Sequence, residues 1–204
     1  GNDTVTAAVA GDVVTTGKGD DILTLSTATT YTGALSMGAG TDTLKVSLDA
    51  TATGVVTGVE KIEITGTKTF TVDDVNANEF NSVDGFEVVG AAGTTETFAI
   101  LNTGASTADV SSIVFTNVVT HFTIDDDSDD LTSGAEDSTF QLAATGGSGI
   151  GDFDATTKIR GGTGTDILDI DTTAATSLVN GTVTGFETLD LANGAALTMT
   201  ATQL

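Results

Sequence analysis

The stretch Gly161-Gly162-Thr163-Gly164-Thr165-Asp166-Ile167-Leu168 decides how the rest of the chain is read. Its glycines permit the positive φ angles and close backbone approach of a tight loop. Such a loop can turn carbonyl oxygens inward while Asp166 supplies a carboxylate, an all-oxygen environment suited to a hard cation such as calcium. Leu168 and Ile170 then alternate with Asp169 and Asp171, so the loop runs into a half-buried strand with its apolar side chains on one face.

The pattern recurs. Gly17-Lys18-Gly19-Asp20-Asp21-Ile22-Leu23 and Gly38-Ala39-Gly40-Thr41-Asp42-Thr43-Leu44 repeat the loop, and Gly1-Asn2-Asp3-Thr4-Val5 matches its second half. The candidate metal-binding acids are therefore Asp3, Asp21, Asp42 and Asp166. A variant carries glutamate: Gly58-Val59-Glu60, Gly85-Phe86-Glu87 and Gly185-Phe186-Glu187. One glycine instead of two and an extra methylene move that carboxylate, so these three are read as structural.

The key acids at 3, 21, 42 and 60 are separated by about 20 residues, one coil of a solenoid. Equivalent loops would stack along one edge at the spacing of neighbouring strands, roughly 4.8 Å. Gly-containing breaks at Ala10-Gly11, Tyr31-Thr32-Gly33 and Thr53-Gly54 would turn the chain on the opposite side. The arrangement returns at Asp166 and Glu187. The expected core is Leu23, Leu25, Leu44, Val46, Leu48, Ile62, Ile64, Leu168, Ile170, Leu189 and Leu191. Residues 74–85 can hold a short helix capped by Asp73 or Asp74, and Thr65, Thr67, Thr69 and Thr71 would share the outer face of a strand.

This divides the chain into a first group of coils over residues 1–72, irregular middle coils with an acidic loop over 73–157, and a second group over 158–204, all in one elongated domain. The chain begins inside a repeat at Gly1 without an initiating Met, so a piece of a longer protein is expected.

The acidic loop is a second candidate metal site. Asp125, Asp127, Asp129 and Glu136 occupy positions one, three, five and twelve of a helix-loop-helix calcium loop. Position six is Asp130 where a glycine is needed, and residues 121–124 read as a strand. Both an irregular calcium loop and a solvated acid run fit the pattern.

Composition sets limits. Six Lys and Arg against 29 Asp and Glu give a formal net charge of −23, which opposes binding to nucleic acid or anionic membrane surfaces and favours cations as partners. There is no cysteine to form a disulfide or a zinc site, and His121 is the only histidine. A nucleophile–histidine pair would rest on that residue alone. No Gly-x-Ser-x-Gly elbow or phosphate loop occurs, so an enzyme is not expected. Arg160 and Lys158 are read as neutralising nearby acids. No apolar run approaches the ~18 residues of a membrane span.

These residues resemble RTX-type secreted proteins, and within them the calcium-dependent surface-layer (S-layer) proteins of Gram-negative bacteria. The resemblance rests on residues 161–168, 17–23, 38–44 and 185–191. It implies an all-β fold, an irregular parallel β-helix or β-solenoid of RTX-like β-roll coils with calcium-binding loops along one edge. It also implies type I export and a calcium-dependent structural role at the cell surface, with self-association into a lattice and contact to cell-surface polysaccharide through another domain. The side-chain ligands it implies are Asp21, Asp42 and Asp166, with backbone carbonyls around Gly17, Gly19, Gly38, Gly40, Gly162 and Gly164. The chain departs from the group in lacking tandem nonapeptides every nine residues. A repeat segment of a large RTX adhesin, or an accessory module of a β-helix polysaccharide-modifying enzyme, are the alternatives.

Overall fold

The computed structural model describes residues 1–27, 29–101, 107–124, 130–143, 157–171, 175–194 and 196–200. They build an irregular, mostly parallel β-solenoid of about seven turns. Two compact units are distinguished, residues 1–99 with 112–119, and residues 100–111 with 120–204.

In the first unit, strands Thr4–Ala7, Ile22–Leu25, Thr43–Val46, Lys61–Ile64, Glu87–Gly90 and Val114–Thr116 lie side by side in that order. Every pairing is parallel. The register sets Thr4 opposite Ile22, Ile22 opposite Thr43 and Thr43 opposite Lys61, the coil steps read from the acids. Because strand side chains alternate, this register stacks like on like: Leu23, Leu44, Ile62 and Val88 form one fully buried column, and Leu25, Val46 and Ile64 another. Each such side chain is worth roughly 1.5–3 kcal/mol relative to exposure. Strands Val14–Thr15, Leu35–Ser36 and Val56–Thr57 form a second face, and Thr30–Tyr31, Ala50–Ala52 and Thr69–Asp73 a third.

The expected helix spans Asp74–Asn81, with the Asp73 carboxylate accepting from the Asn76 N–H at 2.9 Å. It completes a sheet edge. Asn76 is buried, its Oδ1 accepts from the Val56 N–H at 2.8 Å, and its Nδ2 donates to the Gly54 carbonyl at 3.0 Å. A side-chain amide thus stands where the next strand would pair, and the edge groups of Val56 and Gly54 are satisfied.

In the second unit, Thr107–Asp109, Asp130–Thr132, Lys158–Arg160 and Thr182–Thr184 form one parallel sheet. Thr120 to Ile124 pairs with Ser138–Ala143, which pairs with Ile167–Asp171, and that with Thr188–Leu191. Phe122 stacks on Phe140 with ring centroids 4.4 Å apart, and Phe140 meets Phe186 edge-on at 5.1 Å.

Three expectations are corrected. Leu189 and Leu191 are 39% and 42% exposed, because Thr188–Leu191 is an edge strand of its sheet, with Ile167–Asp171 as its neighbour. An apolar depression of about 190 Å³ opens there among Leu168, Val183, Phe186, Leu189 and Met199. Leu48 is only half-buried, since the chain turns before Ala50 takes the inward position. The four threonines do not lie on one strand: Thr69 and Thr71 belong to Thr69–Asp73, but Gly66 (φ 83°) and Thr67 (φ 56°) make a turn that separates it from Lys61–Ile64.

Candidate functional site

The loops preceding the strands bring the key acids of neighbouring coils into columns. Each carboxylate accepts the backbone N–H of the residue at the equivalent position one coil earlier. The Asp3 N–H donates to Asp21 Oδ1 at 2.7 Å, the Asp21 N–H to Asp42 Oδ1 at 2.7 Å, and the Asp42 N–H to Glu60 Oε2 at 2.7 Å. In the second unit the Ser138 N–H donates to Asp166 Oδ1 at 3.0 Å, and the Asp166 N–H to Glu187 Oε2 at 2.8 Å. These are charge-assisted bonds at positions where the strand ladder has not yet begun.

In three coils the residue just before the column position bonds in the opposite sense. Asn2 Oδ1 accepts from the Asp20 N–H, Asp20 Oδ1 from the Thr41 N–H (both 3.0 Å), and Asp137 Oδ1 from the Thr165 N–H at 2.9 Å. At Asp20-Asp21, two adjacent polar side chains therefore bind the neighbouring coils in both directions. The sequence reading missed this outer ladder, although the pairs Asn2-Asp3, Asp20-Asp21 and Asp137-Ser138 carried its signal.

Burial separates the two. Asp21, Asp42 and Asp166 are each 0% exposed, and the second oxygen of each, Oδ2, is buried with no hydrogen-bond partner. Five of the six cationic side chains pair with other acids: Lys45 and Lys61 with Glu63, Lys68 with Asp49, and Lys158 and Arg160 with Asp130. The expected role of Arg160 and Lys158 as neutralisers is thus met on Asp130. Among the described residues no ion pair reaches Asp21, Asp42 or Asp166.

The environments differ in sign. The Thr16 hydroxyl and then the Asp3 N–H hold the Asp21 carboxyl below its ordinary value. Burial raises Asp42, with repulsion from Asp21 and Asp20 adding to it. Burial pushes Asp166 up to about 6, and the nearby charges of Glu187 and Glu136 act in the same direction.

Stacking requires glycine at positions 38, 40 and 162. A Cβ on Gly38 would lie 2.0 Å from the Gly17 carbonyl oxygen, one on Gly40 2.1 Å from that of Gly19, and one on Gly162 2.0 Å from that of Gly134. Gly17, Gly19, Gly38, Gly40 and Gly162 all have positive φ, whereas Gly164 does not. The loop carbonyls run along the stack: Gly17 O accepts from the Ala39 N–H and Ala39 O from the Gly19 N–H, each at 2.9 Å. Each carbonyl retains a second lone pair.

Other candidates are placed as follows. Asp3 is exposed and enters the ladder through its N–H alone. Glu87 is displaced from the acid column: it lies opposite Lys61, and Phe86, fully buried against Phe80, stands at the column position after Glu60. Glu136 is half-buried, accepting from the Gly134 N–H at 3.2 Å with its Oε1 3.3 Å from Thr120 Oγ1, and burial raises its pKa. Asp125, Asp127 and Asp129 lie outside the described residues. His121 faces away from buried Phe122, its Nε2 3.2 Å from Gln141 Oε1.

Sequence reasoning also missed Ser138, which holds the acid position 28 residues before Asp166. Its hydroxyl lies in a buried network, accepting from Thr120 Oγ1 at 2.6 Å and donating to Ser133 Oγ at 2.8 Å, while Ser133 Oγ donates to the Gly161 carbonyl at 2.6 Å.

The donor set fits a hard cation in type: buried carboxylate oxygens lacking partners, backbone carbonyls, and no sulfur or imidazole. Among the described residues no group of three or more His, Cys, Asp or Glu side chains is placed to hold a metal ion. Comparison with protein-family models, with curated proteins and with solved structures finds no match to the chain.

Proposed function

We propose that this solenoid is a calcium-rigidified structural segment of a secreted bacterial surface layer, with no catalytic role of its own. The observation that carries the reading is the set of Oδ2 atoms of Asp21, Asp42 and Asp166, buried and without partners, in stacked Gly-Asp loops. A buried charge without compensation is costly, and the chain as a whole carries −23. Calcium would supply neutralisation. Its side-chain ligands would be Asp21, Asp42 and Asp166, with carbonyls around Gly17, Gly19, Gly38, Gly40, Gly162 and Gly164 and solvent completing the shell.

The resemblance to RTX-type proteins supports a place outside the cell, and so does affinity. Weak oxygen sites of extracellular modules have dissociation constants of roughly 10⁻⁴ to 10⁻³ M, which free calcium in the cytosol would not fill. Rigid coils with charged edges also suit self-association into a lattice, calcium bridging neighbouring copies, and polysaccharide anchorage through another domain.

Calcium titration followed by circular dichroism, melting temperature and light scattering tests the proposal. Melting should rise, and scattering grow, at submillimolar to millimolar calcium, with reversal by chelator. No change in either quantity overturns it. Calcium-stabilised chains that stay monomeric and instead bind a ligand would favour the adhesin-repeat reading.

A further inference from the structure

Away from the Gly-Asp loops, one carboxylate is buried as completely as any within them. Glu96 opens the strand Glu96–Leu101 and is 0% exposed. Its Oε1 accepts from the Thr94 hydroxyl at 2.7 Å and from the Thr67 N–H at 3.3 Å. Its Oε2 is buried with no hydrogen-bond partner. Burial opposes the charged form, yet the hydrogen bonds led by Thr94 and Thr67 outweigh it and hold the carboxyl below its ordinary value. Glu96 is therefore a buried anion at neutral pH. Lys68, next in sequence to Thr67, is engaged by Asp49 at 3.1 Å. Among the described residues no ion pair reaches Glu96.

The surroundings are built to bring oxygens together. A Cβ on Gly90 would lie 2.4 Å from Glu96 Oε2 and 2.3 Å from the Asn117 carbonyl oxygen, so only glycine lets the carboxylate and the carbonyl approach the same point of the backbone. The Asn117 carbonyl accepts one long bond, from the Glu96 N–H at 3.4 Å, and keeps a lone pair. An enclosed anionic oxygen and a carbonyl oxygen, with no cationic side chain beside them, have the donor chemistry that hard cations take.

We infer that Glu96 Oε2 and the Asn117 carbonyl form a binding site for a hard metal cation, separate from the Gly-Asp loops. It stands on its own residues and does not rest on the loop carboxylates binding calcium. One carboxylate balances one positive charge, so an alkali cation leaves the site neutral and calcium leaves it with one excess charge.

The test compares melting of the full chain and of Glu96→Gln in choline chloride with chelator, then in sodium chloride, potassium chloride and calcium chloride at matched ionic strength. Glutamine keeps the size and the Oε1 acceptor and removes the charge. The quantity read is the difference between the two proteins, to which the loop carboxylates contribute equally. In choline the variant should melt at or above the wild type. In the cation that fills the site the order should reverse, wild type gaining about 3 to 6 °C over the variant when free cation stands about tenfold above its dissociation constant. Reversal in sodium or potassium identifies an alkali ion, and reversal in calcium alone identifies calcium. A difference that is the same in every salt, or a variant that folds in none of them, overturns the inference and makes Glu96 a structural acceptor for Thr67 and Thr94.

Discussion

The backbone N–H of Asp21 donates to Oδ1 of Asp42, one coil further along, at 2.7 Å, and Oδ2 of the same carboxylate is buried without a partner. The two oxygens of Asp42 thus have separate roles. One joins coils, and the other has no hydrogen-bond or ion-pair partner among the described residues.

Asparagine and alanine at position 42 separate those roles. Asp42→Asn keeps the Oδ1 acceptor and removes the charge, so in chelator it should equal or exceed the wild type in stability. Asp42→Ala strands the Asp21 N–H and should lose about 1–3 kcal/mol. Urea denaturation measures both. Equal losses in the two variants would mean that the carboxylate acts through its charge or its packing alone.

Asp166 gives a pH signature in chelator. Its pKa rises from 3.8 in the unfolded reference to about 6 in the fold, so the folded chain holds that proton more tightly. The stabilisation is complete below about pH 4 and is lost as pH rises through about 6. Asp166→Asn cannot titrate there. Wild-type stability relative to this variant should therefore fall between pH 4 and pH 7, measured by thermal melts at each pH. Parallel curves, or a difference that grows with pH, would show that burial does not act on Asp166 in this way.

Two glycines with similar backbone but different neighbours separate strain from collision. Gly17 (φ 107°) has nothing within 4 Å of a Cβ, whereas the Cβ of an alanine at Gly38 (φ 97°) would meet the Gly17 carbonyl at 2.0 Å. Gly17→Ala should cost about 1–2 kcal/mol through its dihedral alone. Gly38→Ala should cost clearly more, because neighbouring coils must part. Equal losses in a denaturant titration would argue against close stacking of the loops.

Asn76→Ala should destabilise the first unit by about 2–4 kcal/mol, since it leaves the Val56 N–H and the Gly54 carbonyl without partners at a buried edge. Asn76→Asp restores the acceptor alone and should recover only part of the loss. Hydrogen exchange at the Val56 amide reports the same contact, and unchanged protection in Asn76→Ala would show that the amide does not close the sheet.

The coil repeat was legible where acid and strand keep a constant offset. Asp3, Asp21, Asp42 and Glu60 fall in one column because alternation fixes which side chains face inward, and a one-residue slip would expose Leu23, Leu44 and Ile62. Glu87 broke the rule: the helix Asp74–Asn81 lengthens its coil, and the register sets Glu87 against Lys61 and gives the column position to Phe86. Ser138 was illegible for a related reason, since its coil spans 28 residues to Asp166 and carries serine where the motif has aspartate. Glu96 had no glycine loop before it to mark it. What selects it is a contact with Gly90 and Asn117 from two other segments, which sequence spacing does not encode.

If the orphaned oxygens of the acid columns are cation ligands, a crystal structure grown in millimolar calcium, with anomalous data to identify the metal, will hold calcium at 2.3–2.6 Å from Oδ2 of Asp21, Asp42 and Asp166. Ordered water or empty space beside all three oxygens, in crystals holding that calcium, would contradict it.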